Sequence, residues 1–348
     1  LSEQQMVALA EGRGNEFSGE FQEADSYGVG SSGFLNITGQ IIYNALIDKY
    51  ESINDGVENL VSVTKTQFLD GEKIAGITTP RGEVQEVLEG MPYPEAGISE
   101  DYINTPATEK YGTIVSLTAE AILKDRTGLI LDRAASVGER VAYRKASRIW
   151  DCIFDLNTKY RYKWKGTTYS PWQTASPWIN DASSQELTDW TSIEHVMVQM
   201  ADIANPDQPD TTEPINMFQP KVLIVMPYKE FTARRILSAT EVRQTTNTNN
   251  LTLTGNPVPP GVQLVSSAFA YQRLIKSGVS ASNARNYWLL GDPQRAIKYM
   301  EVLPLTVVQA PPNSELEFSR DDVARWKAAE RGVPVWVQPR AMARRYVA

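Results

Sequence analysis

One helical stripe constrains this chain more than any other feature. From Thr127 to Leu156, apolar or small residues recur at helical spacing: Ile130, Ala134, Val137, Val141, Ala142, Ala146, Ile149, Ile153 and Leu156. Thr127 can cap the N-terminus, and no proline interrupts the run. A helix over about 128–156 would span roughly 40 Å at about 1.5 Å per residue. That length exceeds the mean globular helix of about 11–12 residues and suits a strut. Arg133, Arg140, Arg144, Lys145 and Arg148 fall on its other faces, where a solvated surface is the simplest expectation.

The segments around this helix are extended. Residues 1–38 are polar and glycine-rich, with little periodicity, and read as an arm. The string Tyr27–Gly33 lacks the Gly-Lys-Ser/Thr ending and preceding strand of a phosphate loop. Residues 39–51 suggest a short amphipathic helix carrying Ile42, Leu46 and Tyr50. Strand character follows over Leu60–Phe68 and again over Lys110–Thr118. Between them, Asp70 to Ile98 is rich in Gly, Pro, Glu and Thr. So long a loop makes sense as a projection that packs on another subunit, and the two strands then read as one long hairpin.

Beyond the long helix, Lys165-Gly166-Thr167 lies among alternating aromatics and suggests a small hairpin. Residues 190–290 alternate helix and strand, as in an α+β unit with its own core. They contain a helix from Trp190 to Ile203, a buried strand Lys221–Pro227, a helix from Tyr228 to Leu237 and a strand at Val262–Val265. The remainder is strand-rich, at Asn286–Leu290, Ile297–Val302 and Val333–Val337.

Charge is unevenly placed. The chain has net charge −8, and residues 1–60 hold ten acids against two bases, Arg13 and Lys49. Lys124–Lys165 has eleven bases against five acids, and Arg320–Ala348 has seven against three. An acidic arm lying across basic surface, on the same or a neighbouring copy, is the expectation. Inter-subunit contacts would then pair Glu11, Glu16, Glu20, Glu23 and Asp25 with Arg133, Arg140, Arg144 and Arg148, or with Arg340, Arg344 and Arg345. The balance lacks the basic excess of a dedicated DNA binder.

Chemistry is scarce. The single cysteine, Cys152, cannot form an intrachain disulfide or build a zinc site, and reads as a buried structural thiol. The single histidine, His195, falls on a helix with no nucleophile motif beside it. The acids Glu315, Glu317, Asp321 and Asp322 lie on a polar stretch and read as solvated. No catalytic group, cofactor or metal is expected, and the chain is not expected to be an enzyme. No apolar run reaches the roughly 18 residues of a membrane span, so a soluble protein is expected.

The order of these parts is an arm, a long loop, a spine helix, an α+β insertion and return strands. Thr118–Asp125, Lys221–Pro227 and Trp288–Ile297 supply local phrases of the same kind. In this order the chain resembles the major capsid proteins of tailed bacteriophages, the Hong Kong 97 fold, over nearly its whole length. The resemblance implies an N-terminal arm at 1–60 and an extended loop at 61–112. It further implies a peripheral domain at 113–189 and 291–348, and an axial domain at 190–290. It also implies self-assembly into hexamers and pentamers of an icosahedral shell around double-stranded DNA. Scaffold, prohead protease, portal and decoration proteins would be partners, with assembly in the host cytoplasm and residence in the virion. Proteolytic trimming in that family fits a chain that opens on Leu1 rather than Met. Some members crosslink Lys to Asn, and Lys65 and Lys73 stand in the loop region. Two alternatives remain at this point: an encapsulin-type nanocompartment shell, and a carbohydrate-binding or adhesion module using Trp164, Trp172 and Trp178.

Overall fold

The computed structural model describes residues 56–75, 86–93, 102–118, 129–203 (apart from 165, 176 and 184), 219–245, 251–310 and 322–347. It also describes parts of a helix at 41, 44–45 and 47–50. In chain order the first elements are β1 (Ser62–Lys65), β2 (Lys73–Ala75), β3 (Tyr102–Asn104), β4 (Glu109–Thr118) and α1 (Leu129–Phe154). Then come β5 (Tyr162–Trp164), β6 (Thr167–Tyr169), β7 (Asp181–Ser183), α2 (Trp190–Ala201), β8 (Val222–Val225) and α3 (Glu230–Ser238). β9 (Glu241–Thr245), β10 (Leu251–Gly255), β11 (Gln263–Ser266), α4 (Ala268–Lys276), α5 (Ala281–Arg285) and β12 (Trp288–Gly291) follow. The last are α6 (Pro293–Ala296), β13 (Ile297–Gln309), β14 (Asp322–Trp336) and β15 (Met342–Tyr346). Helix and sheet are mixed, as expected.

The chain forms two compact units. One holds residues 1–53, 111–143 and 305–330, and the other 54–110, 144–304 and 331–348. In the first, Val141 and Ala328 are buried among Val137, Tyr50, Leu305 and Val307. Gly112 is needed there, because a Cβ would stand 2.7 Å from the Ala328 carbonyl oxygen.

The second unit carries the larger core and a five-stranded sheet of order β11-β8-β12-β15-β7. β11 and β8 run parallel, joined by a connection that includes α3, while β12 is antiparallel to both β8 and β15. Strand alternation divides β8 between two cores. Leu223 and Val225 face α2 and α3, whereas Ile224 joins Ile149, Ile153, Leu274 and Met342 on the opposite side. Each such fully buried side chain contributes about 1.5–3 kcal/mol. The edge strand β7 and the strand β15 come from outside 190–290, so the expected α+β unit borrows two strands to complete its sheet.

A second sheet has the order β1-β13-β14-β4. β1 pairs in parallel with β13, Ser62 opposite Lys298 through Lys65 opposite Glu301. The long hairpin expected from Leu60–Phe68 and Lys110–Thr118 is therefore not formed: two strands separate β1 from β4. The strands that close the loop are shorter, β2 and β3, paired antiparallel with Ile74 opposite Ile103. Ile74 packs on Met300, Val333 and Val335, which fixes the base of the loop to the sheet. The small hairpin at Gly166 forms as expected, β5 against β6, with Gly166 at φ +79°.

Candidate assembly surfaces

What the spine helix needs at its C-terminus explains several residues at once. The last carbonyls of any helix lack partners within it. Here the indole Nε1 of Trp336 donates to the Cys152 carbonyl at 2.8 Å, and Trp172 Nε1 donates to that of Ile153 at 2.9 Å. The Arg344 guanidinium reaches the Phe154 carbonyl at 3.4 Å and lies 5.1 Å from the Trp172 ring centroid. Its positive charge also suits the negative end of the helix dipole. Asp155 then turns the chain in the left-handed region, at φ 52° and ψ 45°. The two indoles pack edge to face, 5.1 Å apart.

This arrangement removes the carbohydrate-binding alternative. Trp164, Trp172 and Trp178 are 8, 4 and 1% exposed, so they offer no flat platform to a sugar. Trp178 Nε1 donates instead to the Pro171 carbonyl at 3.1 Å. Tyr160 and Tyr162 are buried too, and burial pushes the Tyr160 phenol well above its usual range.

The basic residues divide sharply. Glu11, Glu16, Glu20, Glu23, Asp25 and the side chain of Arg133 lie outside the described residues. Arg140 and Arg144 are exposed. Arg148 is 2% exposed and donates to the Gly332 carbonyl at 2.6 Å, with Glu109 at 3.5 Å. Lys145, also buried, pairs with Glu58 at 3.2 Å. The solvated face expected for these two is covered, because Glu109 and Glu58 supply counter-charges beside the helix. The basic tail is likewise internal. Arg344 holds Asp181 through two bonds of 3.0 and 2.6 Å, and Arg340 is 2% exposed. Arg345 is fully buried among neutral acceptors, including Gln185 Oε1 at 2.8 Å, Gln199 Oε1 and the Arg344 carbonyl at 2.6 Å. Burial lowers its pKa to about 10. Both faces of β15 are covered in the sheet, which the paired arginines disguised in the sequence.

Cys152 is buried, and burial raises its pKa well above that of a reactive thiol; His195 is exposed on α2. Among the described residues, no cluster of His, Cys, Asp or Glu could hold a metal ion, and no helix is long and apolar enough to cross a membrane. A cavity of about 380 Å³ is lined by Val61, Ser62, Lys221, Asp292, Gln294 and Arg295. Its one carboxylate, Asp292, is engaged by Lys221 at 2.8 Å.

Exposed apolar side chains are the better guide to what the chain does. The described turn of the long loop shows Leu88, Met91 and Tyr93 at 65, 61 and 84% exposure. Gly90 holds that turn at φ +89°, with the Met91 amide bonded to the Leu88 carbonyl at 3.0 Å. Phe68 and Leu69, just before β2, are 60 and 45% exposed. Tyr228, in the 3-10 turn Pro227–Lys229 before α3, and Phe231, in the first turn of α3, are 66 and 81% exposed. The sequence signal for such surfaces was the loop's length. Aromatics at 228 and 231 gave none, since their exposure depends on which face of α3 meets the sheet.

Residues 103–344 match the phage capsid protein family. No curated protein sequence matches the chain. Among solved structures, the capsid of the cyanophage P-SCSP1u is similar with a TM-score of 0.51 at 10% identity, over 84% of this chain and 87% of that one. The capsid of a native GTA particle is similar with a TM-score of 0.50 at 10% identity, over 98% of each chain. An encapsulin complex from Synechococcus elongatus has a TM-score of 0.46 at 10% identity, over 84% of this chain and 86% of that one. At such identities the likeness is one of fold.

Proposed function

The chain belongs to the phage capsid protein family, and on that premise we propose that it is the major head protein, assembling as hexamers and pentamers into an icosahedral shell around packaged double-stranded DNA. The fold is of the Hong Kong 97 type, and the chain is a capsid shell protein. Assembly takes place in the host cytoplasm, and the acidic arm meets the exposed basic residues Arg140 and Arg144 of a neighbour.

The observation that carries the reading is the exposed turn of the loop. Leu88, Met91 and Tyr93 stand in solvent within six residues, while the loop's base is anchored through Ile74. Isolated apolar residues on a surface are ordinary, but a clustered exposed set marks an interface. Covering these three on a neighbour removes roughly 300 Å² of surface, or about 7 kcal/mol before ordering costs. A shell repeats such a contact at every subunit, so modest pairwise affinities sum to a stable assembly.

The test replaces Leu88, Met91 and Tyr93 together with serine. The variant should keep the wild-type melting temperature, since all three are exposed, yet fail to form shells in electron micrographs. Shells at the wild-type protein concentration would contradict the reading.

A further inference from the structure

α2 and α3 pack against the same face of the five-stranded sheet. Ile193, Val196 and Met200 of α2, and Ala233 and Ile236 of α3, enter one core with Leu223, Val225, Trp288 and Leu290. The outward sides of the two helices carry opposite charge. On the α3 side, Tyr228 and Phe231 lie one turn apart, 66 and 81% exposed. Arg235 follows on the same face, exposed, and the Arg285 guanidinium of α5 stands 5.5 Å from the Tyr228 ring centroid. Arg234 is matched by Glu230 at 2.8 Å, so Arg235 and Arg285 leave this surface positive. α2 contains no Lys or Arg. Glu194, Val198 and Asp202 recur at four-residue intervals along its outer side, and all three are exposed.

Among the described residues nothing covers either surface, and both sets of side chains are exposed. A self-complementary contact through the α3 patch would oppose cations to cations, which a two-fold dimer cannot avoid. A head-to-tail contact meets opposite charges and gives the aromatic pair an apolar partner in Val198. Aromatic residues and arginine are also the types most enriched where interface energy concentrates. We propose that Tyr228, Phe231, Arg235 and Arg285 of one copy dock on the Glu194–Val198–Asp202 stripe of the next, joining copies around a ring. This rests on the shell reading above and names the surfaces through which neighbours meet.

The test uses the full chain under conditions in which the wild type assembles, read by sedimentation velocity, with thermal melts as the folding control. Arg235→Glu and Glu194→Arg should each lower the assembled fraction about tenfold, equivalent to about 1.4 kcal/mol. The double variant restores the opposite charges and should return to within about threefold of wild type. Phe231→Ser, which changes no charge, should also reduce assembly about tenfold at an unchanged melting temperature. Single reversals that assemble like wild type, or a double variant no better than either single, would overturn the interface while leaving the shell reading intact. A wild-type chain that never assembles would remove both.

Discussion

Replacing Trp336 with phenylalanine separates hydrogen bonding from packing at the end of the spine helix. The indole contributes a bond of 2.8 Å to the Cys152 carbonyl and an edge-to-face contact of 5.1 Å with Trp172. Phenylalanine keeps most of the ring contact and removes the donor. A neutral hydrogen bond contributes about 0.5–1.5 kcal/mol, and an orphaned buried acceptor costs about 1–3 kcal/mol. The carbonyl is not fully orphaned, because the Asp155 amide also reaches it at 3.1 Å. The loss should therefore be about 1–2 kcal/mol. For a unit of this size each kcal/mol moves the melting temperature by about 2–4 °C, so Trp336→Phe should melt about 2–8 °C lower. Trp336→Ala adds a large cavity and should cost about 3–5 kcal/mol. Differential scanning calorimetry of the three proteins at one concentration measures both steps. A phenylalanine variant that melts with the wild type would refute the capping role. One that melts with the alanine variant would refute the division between bond and packing.

Two further outcomes follow from the charges. Burial raises the Asp155 pKa, against the opposing pull of Ser170 and Arg161, so the native state holds this proton more tightly than the unfolded chain. Stability from this group is thus fully present below the ordinary value of 3.8 and is lost as pH rises through the native pKa. Asn also tolerates the left-handed backbone at this position. Asp155→Asn should consequently melt at or above the wild type at pH 7, with the difference vanishing below about pH 3.8; a lower melting temperature at pH 7 refutes the sign. Changing Glu11, Glu16, Glu20, Glu23 and Asp25 to lysine should impair assembly and leave the subunit's melting temperature unchanged. Normal shells with the wild-type salt tolerance would contradict a role for the arm's charge.

Much of the architecture was legible where the signal is local. The stripe from Ile130 to Ile153 placed the spine helix within two residues of its ends, and the Gly166 turn placed its hairpin. Pairing between distant strands was not legible. β1 has the composition of a hairpin strand, yet its partner is β13, more than two hundred residues away in the chain. Charge also misled where a counter-charge lay elsewhere in the sequence. Arg148 and Lys145 look solvated until Glu109 and Glu58 are brought beside them, and Arg344 until Asp181 is. Trp172 looked available for a ligand for a similar reason: the carbonyl that takes its N–H group, that of Ile153, belongs to another element. The exposed aromatics Tyr228 and Phe231, just before and on α3, could not be distinguished from core aromatics without knowing which side of the helix the sheet covers.

Electron cryomicroscopy of the purified chain, at high concentration and across a range of salt, tests the central claim most directly. The account predicts closed shells, or rings of five and six subunits, in which the 86–93 turn of each copy is covered by a neighbour. A uniformly monomeric protein of 38.8 kDa throughout that range would contradict it.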